Sequence, residues 1–294
     1  MNLTTDISVR TLRHGSTPVV EVSGRELPDL DKTFDCGQCF RFERVEGGRH
    51  DCEWAGVAYG RAVSFASEGG RLYVYGSTEE EFRKIWRNYL DLDTDYDAMG
   101  RDILSRSDSE ALGHAVDFGR GIRILRQEPW ETVCSFIISQ NNNIPRIKKI
   151  VASLCQRAGD RIEGSEEYSF PSAAAVAALG EDGLFELRTG FRAKYIFDAA
   201  KKVSSGELDL DLIPSLPTSE GAEMLCSVKG IGPKVAACAL LFGFGKYDAF
   251  PVDVWIKKAV GKYFPGEFDH SRLGPYAGLA QQYLFYYERY LGGE

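Results

Sequence analysis

The chain has 294 residues, 44% of them hydrophobic and 27% charged, with 43 Asp and Glu against 35 Lys and Arg for a formal net charge of −8. That is ordinary globular composition, enough for one large domain or two to three small ones. The negative balance argues against an indiscriminate polyanion binder, and the longest apolar run, Ala236 to Gly245, is far too short to span a bilayer.

Met1-Asn2-Leu3-Thr4-Thr5-Asp6 carries neither the basic nor the apolar region of a secretory leader, so a cytoplasmic location with no membrane is expected. Residues 16 to 76 read as β-rich. Val19-Val20-Glu21-Val22, Cys39 to Arg44, Trp54 to Ala58, Arg61 to Ser67 and Arg71 to Tyr75 are short alternating or β-branched runs separated by turn signals. A small antiparallel sheet follows from them. Within this region Cys36-Gly37-Gln38-Cys39 is a lone C-x-x-C. No second pair stands at zinc spacing, and the seven cysteines of the chain are expected to be free thiols.

At Thr78-Glu79-Glu80-Glu81 the period changes to helical, with Phe82, Ile85, Trp86 and Tyr89 on one face. Pro129 and Trp130 open a helix carrying Val133, Phe136, Ile137 and Ile138, stopped by Gln140-Asn141-Asn142-Asn143. Pro145 opens another with Ile147, Ile150, Val151 and Leu154; a polar loop over 158–170 precedes an alanine-rich helix capped by Pro171-Ser172. Lys194 to Val203 form a helix after a break at Gly190, Gly206 to Pro217 read as irregular, and residues 272 to 291 read as a long aromatic helix divided at Gly278. The fold class is therefore α+β: a β-rich domain with flanking helices over 1–118, then a mainly helical region over 119–294 with a cleft between two subdomains.

Charge is uneven along this order. Acidic residues crowd Glu79 to Glu110, whereas basic ones gather around Arg120, Arg123, Arg126, Arg146, Lys148 and Lys149, then Arg188, Arg192 and Lys194, then Lys257, Lys258 and Lys262. An acidic face with a separate basic one permits local phosphate contact, with an affinity that weakens steeply in salt.

The most informative string is Lys229-Gly230-Ile231-Gly232-Pro233-Lys234, followed by the apolar run Val235 to Phe244 and then Pro251-Val252-Asp253. Two glycines bracketing one aliphatic residue make a tight hairpin whose N–H groups can point outward to cradle a phosphate. Pro233 suits the first helical position. Lys234 then falls in the first turn, where the helix dipole disfavours an ammonium and favours the nucleophilic neutral amine. Asp253 reads as an N-cap opening the next helix. Helix, hairpin, helix and Pro-x-Asp together resemble the helix-hairpin-helix DNA glycosylase superfamily, and the lysine marks its bifunctional glycosylase/AP-lyase members.

Further blocks narrow the resemblance. Gly37-Gln38-Cys39-Phe40-Arg41-Phe42, then Ser135-Phe136-Ile137 with Asn141-Asn142-Asn143-Ile144-Pro145-Arg146, then the hairpin with Asp253, then Ala280-Gln281 with Leu284-Phe285 occur in this order. Together they look like the 8-oxoguanine DNA glycosylase/lyase family over roughly residues 25 to 290. That resemblance implies removal of 8-oxoguanine from damaged duplex DNA by a monomer, nucleoid-associated if bacterial, with Lys234 as nucleophile and Asp253 as its carboxylate partner. It implies no metal and no organic cofactor, and leaves room for a monovalent ion at the hairpin. No cysteine follows Cys238, so the four-cysteine iron–sulfur cluster of some superfamily members is not expected.

The remaining roles come by the same route. A glycosylase must extrude its base and read it in a pocket. The carbonyl of the residue matching Gly37 would accept from the N7–H that distinguishes 8-oxoguanine. Gln281 and Phe285, at i and i+4 on one helix face, would bond and stack on the base, with Cys238 packing on its other side. Asn141 would fill the gap left by the flipped base, Arg146 and Arg192 would contact the orphaned cytosine, and Phe191 would act as a wedge where relatives often have Tyr. Gly230 and Gly232 would face a phosphate. Trp255 stands where relatives commonly carry a phosphate-binding histidine, which puts that contact in doubt. Residue by residue, a turn glycine at 37, core packing for Phe285 and Cys238, and a simple cap at Asn141 to Asn143 stay open. So do a silent DNA-binding module, a Schiff-base enzyme on a small carbonyl, and a different damaged base.

Overall fold

The computed structural model describes residues 7–264, 266 and 268–291, so Met1 to Asp6, read above for a leader, lie outside the described residues. Its strands are β1 (Ser8–His14), β2 (Thr17–Ser23), β3 (Phe42–Arg44), β4 (Cys52–Ala58), β5 (Arg61–Glu68) and β6 (Arg71–Tyr75), forming one antiparallel sheet in the order β1-β2-β6-β5-β4-β3. Alternation decides its inner face: Val20, Val22, Phe65, Leu72 and Val74 are buried while their sequence neighbours Glu21 and Arg71 pair in solvent at 3.0 Å. The edge strand β1 escaped the sequence reading because Arg10 and Arg13 interrupt its apolar pattern and it is mostly exposed.

Thr78 and Glu81 form a reciprocal capping box. Behind it α2 (Glu79–Glu81), a π turn (Phe82–Trp86) and α3 (Arg87–Tyr89) lay Phe82, Trp86 and Tyr89 fully into the sheet core. Each such side chain contributes on the order of 1.5–3 kcal/mol by burial. The short α1 (Leu30–Phe34), capped by Asp29, plugs the same core and was too brief for periodicity to reveal. The strand expected over Cys39 to Arg44 shrinks to Phe42–Arg44. Cys39 and Phe40 instead turn into two different cores, the sheet's and the helical one.

The helical part comprises α4 (Tyr96–Ser105), α5 (Glu110–Gly119), α6 (Pro129–Ser139), α7 (Ile144–Ala158), α8 (Ala173–Ala178), α9 (Gly180–Leu184), α10 (Ala193–Ser205), α11 (Thr218–Cys226), α12 (Pro233–Phe244), α13 (Val254–Tyr263) and α14 (Ala277–Tyr290). Prolines open α6, α7 and α12, while Asn143, Ser172 and Asp253 cap α7, α8 and α13. Residues 96–118, grouped above with the sheet, send Tyr96, Met99, Ile103, Leu112 and Val116 into the helical core, where α5 packs on α14. The connection over 206–217 contains a 3-10 turn, Leu210–Ser215.

The terminal segment departs from expectation. A 3-10 stretch, His270–Tyr276, kinks at Gly274 and gives way to α14, so the division lies before Ala277 and not at Gly278. Gly278 is a crossing point. Its N–H donates to the Tyr247 carbonyl at 2.6 Å, and a Cβ there would stand 2.4 Å from the Ala249 carbonyl oxygen. We expect Gly278→Ala to destabilise the protein by about 1–3 kcal/mol through overpacking, against a helix-propensity gain of only about 1 kcal/mol. Denaturant melting checks this; an unchanged midpoint would mean the crossing yields freely.

Candidate active site

The hairpin is built from its apolar residues outward. Val228 and Ile231 are buried, and the Ile231 N–H returns to the Val228 carbonyl at 3.0 Å. Gly230 sits at φ +85°, and a Cβ there would lie 2.4 Å from the ring of Tyr195 on α10, so no larger residue fits. Not all of the hairpin's amides face outward, contrary to the sequence reading. The Lys229 N–H donates to Asp198 Oδ2 at 2.8 Å, leaving those of Gly230 and Gly232 without a partner among the described residues. Those two donors, at the N-terminus of α12, suit an anion.

Lys234 lies in the first turn of α12, with its Nζ 5.6 Å from the centre of the Phe136 ring. Asp253 caps α13, accepting from the Ile256 N–H at 2.8 Å through Oδ1. Both act electrostatically on Cys238, one turn after Lys234 on α12. Burial pushes the Cys238 thiol up to about 11, the Lys234 ammonium beside it pulls it down, and the Asp253 charge raises it. The thiol therefore stays protonated and packs; it is not a competing nucleophile.

A pocket wall assembles next to this group from the two ends of the chain. Gly37 sits at φ +75°, and a Cβ there would contact the Phe285 ring at 3.6 Å and Ile144 Cδ1 at 4.0 Å. Phe40, three residues on, packs edge-on against Phe136 with centroids 5.6 Å apart, which links Gly37 to the lysine. Gln281, one turn before Phe285 on α14, is buried, and its Oε1 has no partner among the described residues. A buried, unpaired amide oxygen calls for a donor.

Two residues that hold this wall were missed. The buried Gln38 amide donates to the Thr33 and Arg123 carbonyls, both at 2.8 Å, and accepts from the Leu125 N–H at 2.9 Å. Gln282 Nε2 donates to the Cys36 carbonyl at 2.8 Å. Each stands beside a residue singled out above, Gly37 and Gln281, and an amide inside an apolar run was the signal available.

A second cluster lies around the loop between α6 and α7. Asn141 is exposed in the left-handed region at φ +48°, and Arg146, also exposed, donates to the Arg188 carbonyl at 3.3 Å. Arg192 is buried and turned toward this loop, its guanidinium 4.4 Å from the Phe191 ring centre. Phe191 is half exposed and meets Tyr195 edge-on, so one aromatic path runs from Phe191 to the hairpin glycine. Trp255, in the first turn of the helix that Asp253 caps, is exposed, with Lys258 Nζ 5.6 Å from its ring centre.

The expected basic face is smaller than the sequence suggests. Arg123 is buried over the Tyr96 ring, Arg126 bonds Asp91, Arg120 lies by Asp97 and Asp117, and Lys148 by Glu43. Arg146, Lys149, Arg188, Lys194 and Lys257 are exposed, whereas Arg120, Lys258 and Lys262 are exposed beside carboxylates. Pairing that no linear pattern reveals neutralises part of the face, and burial removes Arg123 and Arg192. Among the described residues no helix is long and apolar enough to cross a membrane.

Comparisons with known proteins place the chain in a family. Residues 19–133 match the sequence model of the 8-oxoguanine DNA glycosylase N-terminal domain, and residues 134–271 that of the HhH-GPD superfamily base excision DNA repair proteins. The protein MBOgg1, solved with a low-affinity DNA ligand, is 40% identical with a TM-score of 0.87, over 97% of this chain and 99% of that one. The Clostridium acetobutylicum 8-oxoguanine glycosylase/lyase, solved with duplex DNA containing cytosine opposite 8-oxoguanine, is 38% identical at a TM-score of 0.87, over 98% and 99%. The Arabidopsis thaliana N-glycosylase/DNA lyase OGG1 is 29% identical over 277 residues, 90% of this chain and 74% of its own. With both domain models matched in order and solved relatives aligned almost end to end, the chain belongs to the 8-oxoguanine DNA glycosylase/lyase family and is an N-glycosylase/DNA lyase.

Proposed function

We propose that this enzyme binds damaged duplex DNA as a monomer and removes 8-oxoguanine, preferably opposite cytosine, through a Lys234 Schiff base and β-elimination. The observation that carries the proposal is Lys234 in the first turn of α12, against the Phe136 ring that packs on Phe40 and so leads to the wall formed by Gly37 and Phe285, with Asp253 opening the next helix. The complex of the Clostridium relative with cytosine opposite 8-oxoguanine supports the substrate and the pairing.

The chemistry follows from the groups present. The neutral Lys234 amine attacks C1′ of the flipped nucleotide, and the bond to N9 breaks as the base leaves with its electron pair and gains a proton. Asp253 stabilises the cationic character that develops on the sugar. The sugar ring then opens to a Schiff base on Nζ. Loss of a C2′ proton expels the 3′ phosphate and nicks the strand. Gly37 offers its carbonyl to the N7–H, Phe285 stacks, and the free Oε1 of Gln281 takes a donor of the base edge. The N–H groups of Gly230 and Gly232 hold a backbone phosphate, and Trp255 offers an indole N–H near another. Phe191 wedges the opposite strand.

Three outcomes test this. Lys234→Gln is expected to abolish base release while duplex binding survives, and Asp253→Asn to slow release strongly, with about 1 kcal/mol of stability lost from the cap. Base release by Lys234→Gln at the parent rate would remove the lysine from the mechanism. Gln281→Ala is expected to weaken binding to a lesion duplex by roughly 1–3 kcal/mol, measured by titration; affinity equal to the parent's would put the base pocket elsewhere. Arginine only donates, so cytosine, with acceptors at N3 and O2, is preferred over adenine by about 1–3 kcal/mol. Arg146→Ala should flatten that preference in excision rates opposite each base. An intact cytosine-to-adenine ratio would make Arg146 a backbone contact.

A further inference from the structure

The two free donors of the hairpin are set from outside it, by α10. Tyr195, Asp198 and Lys202 lie on one face of that helix, at i, i+3 and i+7. All three touch the hairpin or the turn that enters it. A Cβ at Gly230 would meet the Tyr195 ring, Asp198 Oδ2 accepts from the Lys229 N–H at 2.8 Å, and Lys202 Nζ donates to the Ser227 carbonyl at 2.6 Å. The Ser227 carbonyl and the Lys229 N–H belong to the two peptide planes on either side of the Val228 Cα. Gripping both planes sets the backbone angles of Val228, whose side chain is buried and whose own carbonyl takes the Ile231 N–H at 3.0 Å. The directions of the Gly230 and Gly232 N–H groups are thus fixed before any ligand arrives.

A carboxylate is an unexpected choice for this task. Asp198 puts a negative charge on the amide next to that of Gly230, where a phosphate would be repelled by it. Lys202 answers that charge. Its Nζ lies 3.5 Å from the same Oδ2, with both side chains largely covered, and the exposed Glu207 stands 3.7 Å from it as well. One ammonium therefore ties a carbonyl of the turn and neutralises the carboxylate that ties its amide.

We infer that Asp198 and Lys202 are positioning residues, a paired brace that presents the hairpin amides to a backbone phosphate of the duplex. The inference rests on the reading above that Gly230 and Gly232 hold such a phosphate. Both residues act through the turn at Val228, and neither needs to reach the DNA.

The test is affinity for a duplex carrying a tetrahydrofuran abasic analogue, which offers no base to release. It is measured for the parent, Asp198→Ala, Asp198→Asn, Lys202→Met and Asp198→Asn/Lys202→Met. Charge and position predict opposite signs. Removing a carboxylate beside a phosphate site tightens binding if charge alone matters, whereas losing the bond that orients the turn loosens it. Asp198→Ala is expected to bind roughly tenfold more weakly, the size of one lost hydrogen bond to a charged group. Asp198→Asn keeps an acceptor for the Lys229 N–H without the charge, and should bind at least as tightly as the parent. Lys202→Met should weaken binding and regain part of the loss in the double variant, where no carboxylate is left uncompensated. A second readout separates positioning from general loosening. Among duplexes with one phosphate at a time replaced by a neutral methylphosphonate, the loss from Asp198→Ala should vanish on one. Equal or tighter binding by Asp198→Ala, equal weakness in Asp198→Asn, or a loss that persists on every methylphosphonate duplex would overturn the inference. If no methylphosphonate weakens the parent, the phosphate reading itself falls and takes the inference with it. Melting curves accompany each variant, and should Asp198→Ala not fold, Lys202→Met and its double variant carry the test.

Discussion

The site depends on a seam between the first forty residues and the last twenty. Gln282 donates to the Cys36 carbonyl, Arg289 to the Asp35 carbonyl, and Phe285 lies against Gly37. On its other side the same loop is held by Gln38, whose buried amide bonds two carbonyls and one N–H. Leaving any of those groups unpaired in the interior costs about 1–3 kcal/mol. The loop is thus fixed by polar bonds that cannot be given up piecemeal. In the proposed function the Gly37 carbonyl tells an N7–H donor from an N7 acceptor, and a loop free to relax would accept both purines.

The lysine helix is clamped in a similar way at its far end. α12 ends at Gly245 in the left-handed region, and Arg126 fills the space where a Cβ would stand. Arg126 bonds Asp91, which also accepts from the hydroxyls of Tyr96 and Tyr247. Asp91 belongs to the turn that closes the sheet's helices, so sheet, lysine helix and the Tyr247 segment share one buried carboxylate. The Tyr247 carbonyl in turn receives the Gly278 N–H at the start of α14. The helix carrying Lys234 and the helix carrying Gln281 and Phe285 are referenced to one another within a few residues. The proposed attack of Lys234 at C1′ would need that rigidity, since near-attack geometry is where much of the rate is gained.

Much of this was legible in the sequence, for local reasons. The proline starts, the capping box at Thr78, the Asn143 and Asp253 caps and the hairpin glycines each act within four residues, so a linear pattern records them. The proximity of Lys234 to Cys238 follows from helical spacing alone. What the sequence hid is pairing across distance. Arg123 and Arg126 read as basic surface, yet Arg123 is interior and Arg126 half-buried on Asp91, and the burial of Arg192 against backbone carbonyls leaves no local trace. Asp198 and Tyr195, which shape the hairpin from thirty residues away, leave no local trace. Gly278 looked like a break because a glycine inside a helix pattern is ambiguous until the chain crossing it is known.

The central claim is that one amine, Lys234 Nζ, bonds to the sugar. Borohydride reduction of the parent enzyme during turnover on an 8-oxoguanine duplex, followed by proteolysis and mass spectrometry, reads the attachment point directly. We predict a single modified peptide with the sugar adduct on Lys234. An adduct on Lys229, the other lysine of the hairpin, or on any amine outside it, would contradict the account.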